Sequence, residues 1–193
     1  MTMNDYSQQS PLVLTDLDAW NAWLLANEDS SNGAWVLLAK KNVTTPTSLN
    51  YQDALAEALC SGWIDGQRRS FDETTFIQRF TPRRPRSNWS KRNVDIVEGL
   101  VAEGRLRERG AAEVAAAKAD GRWESAYPRQ SEMTVPDDLR DALARVPAAQ
   151  AAFEQFTRSQ RFTVMLPILT ARSDQAKARI IARLVDRLGE GSD

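Results

Sequence analysis

Residues 62–93, GWIDGQRRSFDETTFIQRFTPRRPRSNWSKRN, place two tryptophans and eight basic residues in one connected stretch. Guanidinium forks bind carboxylate or phosphate in bidentate fashion. Two prolines in FTPRRPRSNWSKRN stiffen the backbone, so the sequence predicts that Arg83, Arg84 and Arg86 are presented from an extended strap. Trp89 is placed to stack on a base or an aromatic ligand, or to pack under a helix start. Ser87, Asn88 and Ser90 are candidate caps for the helix that follows, whose N-terminus would add free N–H groups.

Upstream, WIDGQRRSF and TTFIQRFTP flank FDE and read as a β-hairpin turning near Asp72 and Glu73. Strict alternation would put Trp63, Asp65, Gln67 and Arg69 on one face of the first strand and Ile64, Gly66, Arg68 and Ser70 on the other. The second strand would divide Phe76, Gln78 and Phe80 from Ile77, Arg79 and Thr81. Apolar and polar residues mix on both faces, which a purely structural sheet avoids. Two readings stand open. In one, Trp63, Ile64, Phe76 and Phe80 are core, Asp65 pairs with a neighbouring arginine and the remaining charges are solvated. In the other, Asp65, Gln67 and Arg69 floor a cleft walled by Trp63, with Gly66 allowing close approach of a ligand. The expected binding set is Trp63, Asp65, Gln67, Arg69, Arg79, Arg83, Arg84, Arg86, Trp89, Lys91 and Arg92.

Composition narrows the chemistry. The 193 residues contain no histidine and one cysteine, Cys60. Ser-His-Asp and Cys-His nucleophile systems are therefore excluded, and a zinc site is nearly so. No cofactor or metal is implied, and no Walker-type or dinucleotide glycine fingerprint accompanies the arginines. Cys60, next to the first hairpin strand with no base to activate it, reads as inert. From Thr74 to Val94 there is no acidic residue and the charge is +6; with an overall −1, the remainder carries −7. A local positive patch on an acidic body suits an anionic small molecule or acidic partner better than nucleic acid. No apolar run reaches the roughly 18 residues of a membrane span, and no export signal opens the chain, so a cytoplasmic protein is expected. Its oligomeric state is not legible.

The elements that must position these residues follow from periodicity. Residues 1–14 read as a flexible leader ending in an apolar anchor at Pro11 to Leu14. Thr15 is the expected N-cap of a helix carrying Leu17, Trp20, Trp23 and Leu24. AWVLLAKK reads as a central strand. A second helix follows, with Tyr51, Leu55, Ala58 and Leu59 on one face, stopped by Gly62. Val94, Val97, Leu100 and Val101 mark a third helix, and ERGAAEVAAAKADG a fourth. Beyond these, VPDDLRDALARV has Pro136 as its expected first helical residue, PAAQAAFEQF follows, and Pro167 implies a kink or break in SQRFTVMLPILTAR. Ser173 is the expected cap of the last helix. The expectation is an α+β fold, with a small antiparallel sheet of about three strands packed with helices over 15–127 and a C-terminal helical subdomain over 132–190.

The run LCSGWIDGQRRSFDETTFIQRFTPRRPRSNWSKRNVDIVEGLVAEGR, with AAKADGRW after it, resembles the signature of the YdeI/OmpD-associated (OmdA) family of bacteriocin-protection-like proteins. The resemblance implies a mixed α+β fold, cytoplasmic residence and a role in stress or antimicrobial-peptide resistance, but no reaction, cofactor or catalytic residue. A non-enzymatic anion-binding protein is the first expectation. A nucleic-acid-binding module on the same basic segment, or a histidine-free enzyme with Asp65 as acid or base, are the alternatives.

Overall fold

The computed structural model describes residues 10–191 and is α+β: helices α1 (Leu17–Asn27), α2 (Tyr51–Cys60), α3 (Lys91–Ala102), α4 (Glu108–Ala119), α5 (Asp137–Ala144), α6 (Pro147–Glu154), α7 (Arg158–Leu169) and α8 (Asp174–Gly189), with strands β1 (Ala34–Ala39), β2 (Trp63–Ser70) and β3 (Thr75–Pro82). Of the expected leader, residues 1–9 lie outside the described range. Among the described residues, no helix is long and apolar enough to cross a membrane. The chain divides into two compact units, one comprising residues up to 87 together with 93–124, the other comprising 88–92 together with the residues from 125 onward.

In the first unit the strands form one antiparallel sheet in the order β1-β3-β2. β1 is buried along its whole length, as its unbroken apolar run requires. Ahead of α1, the anchor adds to the outer edge of β1: the Leu12 N–H donates to the Trp35 carbonyl at 2.8 Å, and the Leu37 N–H donates to the Leu12 carbonyl at 2.9 Å. The helix cap falls one residue later than expected, because the Asp16 carboxylate accepts from the Ala19 N–H at 2.9 Å. Trp20, fully buried, stacks on Trp23 at 5.3 Å and meets Phe80 of β3 at 5.4 Å. Its indole N–H donates to the Ala54 carbonyl of α2 at 3.1 Å. Gly62 ends α2 with φ +70°, a left-handed value that favours glycine. At Gly110 in α4, an added Cβ would sit 2.4 Å from the Cys60 carbonyl, so α4 crosses the end of α2 only because that residue lacks a side chain.

In the second unit, α5 to α8 enclose their own apolar core, centred on Leu139, Phe153, Met165, Ile168, Ile181 and Leu184. Ser173 caps α8 as expected, accepting from the Ala176 N–H at 3.2 Å. Pro136 stands at the cap of α5 rather than inside it. Pro167 does not break α7, which runs on to Leu169 before it ends. Val101, expected on the buried face of α3, is 54% exposed.

Candidate functional site

The hairpin forms where the sequence places it. Asp72 organises the turn: its Oδ1 accepts from the N–H groups of Thr74 and Thr75, both at 2.7 Å, and from the Thr74 hydroxyl at 2.9 Å. The Thr74 and Thr75 hydrogen bonds hold its carboxyl down to about 2.

Strict alternation fails inside β2. Asp65 is opposite Phe80, but Arg68 is opposite Gln78, so Gly66 and Gln67 together face the single residue Arg79. This β-bulge reverses the faces beyond it. Arg68 turns to the Phe76 side, its guanidinium carbon 3.7 Å from that ring, while Arg69 turns to the other side and lies 4.6 Å from the Trp35 ring. The bulge is stabilised by Gln78, 2% exposed, whose amide donates to the Gly66 carbonyl at 2.9 Å and the Gln67 carbonyl at 3.1 Å. Those carbonyls lose part of the regular ladder and would otherwise be orphaned. Gly66 is not a close-approach position, since a Cβ there would meet only ordinary contacts at 3.7 Å.

The expected cleft floor of Trp63, Asp65, Gln67 and Arg69 is therefore corrected. Arg69 leaves that face because of the bulge, and shares the opposite one with Arg79, the cross-strand partner of Trp35. Trp63 is not a wall but core: it is fully buried, meets Trp23 edge-on at 5.8 Å, and its indole N–H donates to the Glu28 carbonyl at 3.4 Å. Asp65 is half-buried and accepts from the Tyr51 hydroxyl at 2.7 Å, which ties β2 to the start of α2. Gln67 is exposed.

The basic strap is also different in form. It is not extended; Arg84 to Ser87 make a turn closed by the Ser87 N–H donating to the Arg84 carbonyl at 3.0 Å. Pro85 takes the second position and Arg86 the third, with φ +61°. That pattern belongs to a type II turn, whose third position is ordinarily glycine. Arg84 and Arg86 are exposed, whereas Arg83 is buried at 5%, its backbone N–H donating to the Gly62 carbonyl at 3.0 Å. The turn is moored by Arg122. Its Nε donates to the Asp120 carboxylate at 2.7 and 2.8 Å and its Nη1 to the Ser87 carbonyl at 2.9 Å. Arg122 depresses the Asp120 pKa, with a smaller contribution from the charge of Arg86. The AAKADGRW motif is distinctive in the sequence, but no local signal in it points to the Ser87 carbonyl 35 residues away.

Trp89, Lys91 and Arg92 belong to the second unit. Trp89 is 2% exposed, so it offers no open ring for stacking; its carbonyl accepts from the Tyr127 N–H at 3.0 Å. Lys91 is exposed, Arg92 half-buried, and the Lys91 N–H donates to the Tyr127 carbonyl at 2.8 Å.

Sequence reasoning missed one further charged group in the first unit. Glu57 of α2 is 3% exposed and pairs with Arg105, at 3.1 Å, and with Arg107, which also donates to the Ser61 hydroxyl. Beside it, burial pushes the Cys60 thiol up to about 11.

Residues 12–113 match the family described as Domain of unknown function (DUF8412), and the chain belongs to it. Residues 132–191 match a second family, described as Bacteriocin-protection, YdeI or OmpD-Associated. That match falls on the C-terminal helices, not on the central run that carried the resemblance in the sequence. No curated protein and no solved structure matches the chain.

Proposed function

We propose that the protein is a non-enzymatic binder of anionic groups, with Arg84 and Arg86 as its principal contacts. The observation that carries this reading is the conformation of Arg86: an exposed arginine held at φ +61°, where glycine would be unstrained. A side chain in the left-handed region costs about 1–2 kcal/mol, and such strain concentrates at functional positions. The hydrogen bond from Arg122, itself held by Asp120, to the Ser87 carbonyl supports the reading, because it fixes the turn before any ligand arrives and so lowers the ordering cost of binding. Exposed Arg69 adds positive charge on β2, while the chain outside residues 74–94 carries a net −7.

In this reading the protein works in the cytoplasm, and the bacteriocin-protection description of the family matched by residues 132–191 supports a part in stress or antimicrobial-peptide resistance. Buried Trp89 weighs against a single-strand stacking platform.

The test is calorimetric titration of tripolyphosphate into the full chain and into Arg84→Ala and Arg86→Gly variants. Each variant is expected to bind about tenfold more weakly, since a charge-assisted hydrogen bond contributes about 1.5–3 kcal/mol. Arg86→Gly is expected at the same time to raise the melting temperature, by relieving about 1 kcal/mol of backbone strain. Variants that titrate like the parent would overturn the reading. Tight binding of a single-stranded oligonucleotide without tripolyphosphate binding would replace it by the nucleic-acid alternative.

A further inference from the structure

Within the second unit, residues between Gln130 and Met165 line a half-open cavity of about 220 Å³. Gln130 and Ser131 contribute neutral polar groups to its lining beside two stronger features. Met133, Phe156, Phe162 and Met165 supply apolar surface, and Arg158 and Arg161 supply positive charge. The two arginines are not neutralised: neither pairs with a carboxylate among the described residues. Arg161 is held in place by backbone carbonyls instead, donating from Nε to Phe156 at 3.1 Å and from Nη2 to Glu154 at 2.8 Å. This fixes the orientation of its guanidinium and leaves other donors of the fork unused.

The local sequence reinforces the imbalance. α7 has no acidic residue in its first turn, and its capping box is closed by the neutral Gln160, whose side chain accepts from the Thr157 N–H at 2.8 Å. Arg158 and Arg161 therefore stand at the positive end of the helix dipole, where cations are unfavourable and an anion is favoured. Apolar walls of methionine and phenylalanine next to uncompensated arginines are the complement of a molecule with an anionic head and a small apolar body.

Size limits that body. A dry cavity of about 150 Å³ holds a benzene ring, so the present one takes one ring with a short side chain, or an alkyl chain of about six to eight carbons. We propose that this cavity binds a small amphiphilic monocarboxylate, an arylalkanoate or a medium-chain fatty acid. Its carboxylate is received by Arg158 and Arg161, and its apolar part lies against Met133, Phe156, Phe162 and Met165. The site is independent of the arginine turn of the first unit.

The test uses the full chain labelled at the methionine methyl carbons and titrated by NMR with sodium octanoate and sodium phenylacetate, with 1-octanol as the uncharged comparison. The Met133 and Met165 methyl resonances are expected to move saturably with either carboxylate. The alcohol is expected to bind at least about tenfold more weakly, as the loss of one charge-assisted contact requires. Arg158→Glu, at an exposed position, should weaken octanoate by at least about tenfold while dispersed methyl resonances report an intact fold, and Arg158→Gln should weaken it less. Three results would each overturn the proposal. They are equal affinity for acid and alcohol, Arg158 variants that bind like the parent, and unmoved Met133 and Met165 resonances up to about 10 mM, where a ligand with Kd near 1 mM saturates.

Discussion

Glu57 shows how much a single side chain carries in this protein. Its carboxylate is almost entirely removed from water at 3% exposure, so the ion pairs with Arg105 and Arg107 are what make that burial tolerable. Removing it leaves the mostly buried Arg107 without its carboxylate, while the more exposed Arg105 keeps Glu103. Glu57→Ala is expected to lower the unfolding free energy by about 3 kcal/mol in a urea titration, well above the change at exposed Glu103, the other carboxylate on Arg105. In the sequence, Glu57 is one acid among the polar positions of YQDALAEALC. Its partner Arg105 lies 48 residues away, beyond the hairpin and α3. No local pattern joins them, whereas Trp20 and Leu24 were legible as core because helical spacing alone puts them on one face.

At the level of elements, the hairpin was legible and its register was not. The FDE turn announced itself through Asp72, an acceptor for two following N–H groups. β2 carried no comparable signal for the bulge: it is exposed from Gly66 to Ser70, so neither face is marked by apolar residues and slipping by one position leaves the pattern unchanged. The information sat on the neighbouring strand, in Gln78, a buried amide with no evident reason to be there until the two freed carbonyls are seen. The strap misled for a similar reason. Prolines predict stiffness, but Arg86 at a glycine position disguises the turn. Asp72 also makes the hairpin sensitive to acid. Its carboxyl titrates near 2 in the fold against an ordinary 3.8, so its contribution is complete above the ordinary value and disappears as pH falls through 2. Compared with Asp72→Ala, the parent is expected to melt higher at pH 7, with the difference closing between pH 4 and pH 2 as both are followed by circular dichroism.

For the molecule as a whole, periodicity was the most reliable guide, because the class of fold depends on the number and period of elements rather than on any one contact. The single cysteine also confines thiol chemistry to one residue. Cys60 is 1% exposed and raised by burial to about 11, so reagents reach it through unfolding. Labelling by a chromogenic disulfide at pH 8 is expected to be at least about a thousandfold slower in buffer than in concentrated guanidinium, matching the unfolded fraction of a marginally stable protein. A native rate equal to the denatured one would contradict the buried placement. The bulge at Gly66 and Gln67 bears on how such a molecule can change. Substitution at Arg68 or Arg69 alters one charge at a time, and losing a single residue at the bulge would restore a continuous ladder while leaving Arg68, Arg69 and Ser70 on the faces they now occupy, because their partners Gln78, Ile77 and Phe76 are unchanged. The spare residue at 66–67 is thus a change of length that the sheet can absorb without moving its surface charges, which are set by pairing with β3 rather than by the count of residues in β2.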